Sequence, residues 1–132
     1  MIQVMVAAHG GLARELVHLA QLIVGAQSEL AAVALEMHEG IEDLQRKLET
    51  RLRPRPEISG HLILVDMFGG TPSNVALAVA QNHAVKVLTG VNLPMVLEAI
   101  MHRALVDLPA LAELVAKKGQ MSIFDAGLLL KS

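Results

Sequence analysis

Four short apolar runs, at residues 2–8, 30–37, 61–66 and 84–88, alternate with longer stretches whose apolar residues return at helical spacing. Runs this short and this continuous read as strands covered on both faces. After the first run, Leu12, Leu16, Leu19 and Ile23 mark a helix face, and Gly25 sits where a C-cap glycine belongs. After the second, Ile41, Leu44, Leu48 and Leu52 mark another. The segment Arg53-Pro-Arg-Pro-Glu57 is a loop, because each proline lacks an amide proton and disfavours helix in its predecessor. A third helix is expected over 72–81, a fourth through about Arg103, and a last one capped by Asp107 and closed by Gly119. The final "MSIFDAGLLL" reads as an extended segment.

Strand–helix alternation predicts an open α/β fold, a mostly parallel doubly wound sheet with helices on both faces. The expected strand order is 2-1-3-4, with the C-terminal segment as an added edge strand. At 132 residues the chain is too short for a closed eight-stranded barrel, which takes roughly 200 or more, and it is expected to form one domain over residues 1–132.

Composition excludes several function classes. No cysteine is present, which removes disulfides, thiolate zinc sites and cysteine nucleophiles together. The net charge is −2, the basic residues form no run, and two phenylalanines are the only aromatics, so nucleic acid is not an expected partner. Apolar stretches are broken too often to span a bilayer, and the N-terminus lacks the basic flank and long apolar core of an export signal, which predicts a cytoplasmic protein. No His-Glu-x-x-His, Gly-x-x-x-x-Gly-Lys-Ser/Thr or Gly-x-Ser-x-Gly pattern occurs, so zinc catalysis, nucleotide hydrolysis and the usual serine hydrolase have no support.

In open parallel sheets, ligands bind beyond the carboxyl ends of strands where strand order reverses, between the first and third strands of such a fold. Those strands end here in His9 and Asp66, within "MVAAHGG" and "LVDMFGGTPSN". An imidazole, which titrates near ~6.5 in isolation, attacks an electrophile when one ring nitrogen carries a lone pair and the other a proton. A carboxylate beside it selects that tautomer and stabilises the charge that develops. With Thr71 as N-cap and Pro72 at the first helical position, the amides of Ser73 and Asn74 are expected to be free for an anion, and Gly69 and Gly70 let the backbone approach it. Two readings stand on these residues alone: a phosphoryl group carried on His9, or a crevice that takes a small anion without covalent chemistry. His38, at the end of the second run, is a peripheral binding candidate, whereas His18, His61, His83 and His102 are weaker ones.

The segments "AAHGGLARELV", "IVGAQ", "HEGIEDLQRKL", "LVDMFGGTPSNVA" and "TGVNLPMVLEAI", in this order, resemble the IIA component of the mannose family of the bacterial phosphoenolpyruvate:sugar phosphotransferase system. The resemblance implies that His9 is the phosphorylated residue and Asp66 its partner carboxylate. It places the phosphate contacts in the turn from Gly69 to Ser73, with Thr71 where a serine is often found. It implies no cofactor or metal, a phosphoryl donor in the carrier protein HPr and an acceptor in a IIB component. It also implies a homodimer in which the C-terminal strand crosses to the partner, and a stand-alone regulatory role is its alternative.

Overall fold

The computed structural model describes residues 1–81 and 83–131. Strands β1 (Ile2–His9), β2 (Leu30–Leu35), β3 (Gly60–Val65) and β4 (Val85–Leu88) form one sheet in the order β2-β1-β3-β4, every pairing parallel. The intervening helices are α1 (Leu12–Val24), α2 (Ile41–Arg51), α3 (Thr71–Ala80) and α4 (Leu93–His102), followed by α5 (Leu108–Met121) and the short α6 (Ala126–Leu129).

Strand alternation divides the core into two layers. Val4, Val6 and Ala8 of β1 and Leu62 and Leu64 of β3 meet α1, α4 and α5 on one face. Met5, Ala7, Ile63 and Val65 meet α2 and α3 on the other. Central strands sandwiched in this way have no solvent face, which is why the runs were apolar without alternation. Right-handed crossovers require this split, because the chain moves one way from β1 to β2 and the opposite way from β2 through β3 to β4.

Arg103, at the C-cap of α4, ties that helix to the start of β2. Its side chain is 5% exposed and donates to the carbonyls of Glu29 (2.8 Å) and Ser28 (2.6 Å), to Gln27 Oε1 (3.3 Å) and, more weakly, to Ile2 O (3.5 Å). The guanidinium thus satisfies the Ser28 carbonyl and adds a second hydrogen bond to Glu29 O, which already accepts from Val4 N–H at 3.0 Å.

Three expectations need correction. The C-terminal segment is not an edge strand: α5 runs to Met121, and Asp125 caps α6 by accepting from Gly127 N–H at 3.0 Å. A helix closes its own backbone hydrogen bonds, whereas a strand there needs a neighbouring strand to pair with. Gly119 lies inside α5 rather than closing it, at a close approach to α4: a Cβ there would sit 2.6 Å from Met95 Cγ. On α1 the buried face is Ala13, Val17 and Ala20, while Leu12, Leu19 and Ile23 are more than two-fifths exposed. Small residues let the helix axis come close to the sheet, and the larger ones are turned outward.

Candidate active site

The β1–β3 register aligns Ala7 with Val65, so the chain leaves both strands at the same edge of the sheet, and His9 and Asp66 meet there. Asp66 Oδ2 accepts from His9 Nδ1 at 2.7 Å and from the His9 backbone N–H at 3.0 Å, and Oδ1 accepts from Met67 N–H at 2.9 Å. A carboxylate only accepts, so Nδ1 carries the ring proton and Nε2 the lone pair. The His9 side chain is 48% exposed and Asp66 only 14%, which leaves the ring open to an approaching group while its brace is covered. Partial burial pushes the Asp66 carboxyl upward. The hydrogen bonds from the His9 amide, the His9 ring and the Met67 amide outweigh it and hold the group below the usual carboxylate range.

The turn into α3 packs beneath the ring. Gly69 has φ +84°, a conformation costly for residues with a Cβ. Gly70 is required for a different reason: a Cβ there would lie 3.2 Å from His9 Cε1 and 3.3 Å from Met67 Cγ. Gly70, not Thr71, is the N-cap, with extended backbone, and Thr71 and Pro72 open the helix. Asn74 N–H therefore donates to Gly70 O at 3.0 Å and is not available to a ligand, contrary to expectation. The amides of Gly70, Thr71 and Ser73 donate to no partner from the chain among the described residues. These are the orphan donors of a helix start, where an anion is favoured.

Ser73 itself is fully buried, and its hydroxyl has no hydrogen-bond partner among the described residues. That burial covers its main chain too, so the amides of the turn that reach its surface are those of Gly70 and Thr71. His38 is exposed in the turn after β2, three residues past the strand end. His61 is buried against Gln3, with Nδ1 2.8 Å from Gln3 Oε1. His83 and His102 lie beside Glu49 and Glu98, away from the site. Two groups that the sequence reading did not single out complete the brace, the backbone amides of His9 and Met67. Amides carry no residue-type signal, so only the fold reveals them.

The family of IIA proteins described as PTS system fructose IIA component matches residues 3–117. The chain belongs to that family. It is 39% identical over 112 residues to the fructose-specific EIIA component of the phosphotransferase system of Bacillus subtilis, a match covering 82% of this chain and 77% of that protein. It is 34% identical over 117 residues to the mannose-specific EIIAB component of Escherichia coli K12, covering 87% of this chain but 35% of that longer protein. Among solved structures, the EIIA component from Streptococcus agalactiae superposes with a TM-score of 0.90 at 26% identity, over 97% of this chain and 99% of that one. As a member of the IIA family, the chain is a phosphotransferase of the sugar phosphotransferase system, a phosphocarrier in sugar uptake. No helix among the described residues is long and apolar enough to cross a membrane.

Proposed function

We propose that residues 1–132 act as one cytoplasmic IIA domain that takes a phosphoryl group from phospho-HPr onto His9 Nε2 and passes it to a IIB component. The observation that carries this reading is the 2.7 Å contact between His9 Nδ1 and Asp66 Oδ2, which directs the lone pair to the exposed nitrogen. In the forward step, the Nε2 lone pair forms a bond to phosphorus as the P–N bond of the donor phosphohistidine breaks. That bond's electron pair returns to the donor ring. The proton stays on Nδ1, and the positive charge that builds on the His9 ring is stabilised by Asp66.

The transferred group carries its charge on the equatorial oxygens of a loose transition state, so positioning and electrostatics do most of the catalysis. The free amides of Gly70 and Thr71, with the Gly69 turn that aims them, form the cradle for those oxygens, and Ser73 is buried directly behind them. Transfer to IIB is the same step in reverse order, and a moderate cradle keeps the phosphohistidine transferable. The Thr71 hydroxyl is a further donor at the position where the family often has serine.

A homodimer completes the proposal. Leu22 and Ile23 on α1 and Ile123, Phe124, Leu128 and Leu130 near the C-terminus are between 55% and 89% exposed, apolar side chains that a partner protomer would cover.

Incubation with phosphoenolpyruvate, enzyme I and HPr tests the reading. One acid-labile phosphate is expected on the wild type and none on His9→Ala, by intact mass. An unmodified wild-type mass beside fully phosphorylated HPr refutes it. Sedimentation of the wild type is expected to give twice the protomer mass, and a monomer at micromolar concentration removes the dimer.

A further inference from the structure

The outer edge of β2 is open, and the side chains around it are basic. Val4 N–H donates to Glu29 O at 3.0 Å and Gly10 N–H to Leu35 O at 2.9 Å, so strand alternation directs the backbone groups of Leu30, Ala32 and Ala34 away from β1. One end of that edge is already closed. Lys47 Nζ donates to Ala34 O at 2.8 Å, and Glu36 N–H donates to Glu39 Oε1 at 3.0 Å. The N–H and C=O groups of Leu30 and Ala32 have no partner from the chain among the described residues.

This edge forms the floor of a groove of about 1120 Å³. Arg14, Arg46, Lys47, Arg51, Arg53 and Arg55 line it, six of the 11 lysines and arginines in a chain of net charge −2. Its acidic lining is Glu29 and Glu36. Arg55 grips Glu29 at 2.6 and 2.8 Å, Arg14 lies 3.7 Å from Glu36, and Lys47 and Arg46 pair with Glu39 and Asp43. Arg51 and Arg53 are exposed and have no ion pair or side-chain hydrogen bond among the described residues.

We propose that this groove binds an extended acidic segment of another protein, which adds as a strand to the β2 edge while its carboxylates meet Arg51 and Arg53. Strand addition supplies both donors and acceptors to the ladder, which is what the unpaired groups of Leu30 and Ala32 require. A polyphosphate accepts but does not return donors to those carbonyls, and no aromatic residue lines the groove for the bases of a nucleic acid to stack on. The chain's own residues 121–131 do not match, since they carry one aspartate and one lysine. The proposal goes beyond phosphoryl relay and does not use the chemistry of His9.

The probe is a fluorescein-labelled peptide of about eight alternating glutamates and valines, titrated into the full chain. Two versions N-methylated at alternate residues, one for each register, keep the charge and block one face of the peptide backbone. The parent peptide is expected to bind, and affinity to fall at least about tenfold in Arg51→Glu/Arg53→Glu and with one of the two methylated peptides. In the bound complex, the Leu30 and Ala32 amide resonances gain hydrogen-exchange protection, while those of Ala31 and Val33, already paired with β1, do not change. The absence of parent-peptide binding overturns the proposal, as does equal binding of all three peptides. Tighter binding of heparin without protection at Leu30 and Ala32 overturns it in favour of a general polyanion patch. Self-association that Arg51→Glu/Arg53→Glu abolishes overturns it in favour of a second copy of this chain.

Discussion

Asp66→Asn preserves the shape of the brace and removes its charge. Asp66 Oδ2 takes two hydrogens from His9, at 3.0 and 2.7 Å, and Oδ1 takes one from Met67 at 2.9 Å. The substituted amide has one oxygen to offer and two donors. If its oxygen faces His9, its NH2 meets the Met67 amide, donor against donor. If its NH2 faces His9, the ring must move its proton to Nε2, and the nucleophilic lone pair is lost. Either way, a hydrogen bond to a charged group disappears, worth about 1.5–3 kcal/mol. At about 1.4 kcal/mol per tenfold, phosphoryl transfer slows by about 10- to 150-fold even if the tautomer is kept. Rapid-quench single turnovers from phospho-HPr measure the rate, and urea denaturation reports the fold. The carboxyl titrates below its unfolded value, so its stabilisation is fully present above the unfolded pKa of ~3.9 and is lost as pH falls through the folded value. The stability gap between wild type and Asp66→Asn therefore closes on acidification. A wild-type transfer rate in a folded Asp66→Asn protein refutes the tautomer argument.

Two further outcomes follow from packing. Gly119→Ala places a methyl 2.6 Å from Met95 Cγ and 2.7 Å from Met95 Sδ, near the base of a side chain that is 3% exposed, and should destabilise by about 1–3 kcal/mol in urea, with partial recovery in Gly119→Ala/Met95→Ala. Arg103→Met keeps the aliphatic stem but leaves the Ser28 carbonyl unpaired and Glu29 O with Val4 N–H alone, and should cost about 1–3 kcal/mol, read as a lowered midpoint of unfolding.

The sheet was legible because its central strands are buried on both faces, and continuous apolar runs of this length have few other uses. The meeting of His9 with Asp66 followed from fold logic, since β1 and β3 flank the reversal of strand order. Side-chain size misled the reading of α1, where hydrophobicity ranks leucine above alanine but the close sheet surface admits Ala13, Val17 and Ala20. Gly119 read as a helix stop because a glycine needed for contact with Met95 and one needed for a left-handed turn look the same in a sequence. The cap position shifted by one residue for a related reason. Gly70 adopts the extended cap backbone without a side chain to advertise it, and that shift decides which amides are free.

The histidine and its acid lie 57 positions apart in the chain and meet only once β3 has docked beside β1. A nascent or truncated polypeptide ending before position 66 holds the His9 ring but lacks the carboxylate that orients it. Under the proposed transfer to His9, uptake of label from HPr doubles as a clock for maturation, counting only molecules whose two halves have closed, and a misfolded pool stays dark in the same experiment.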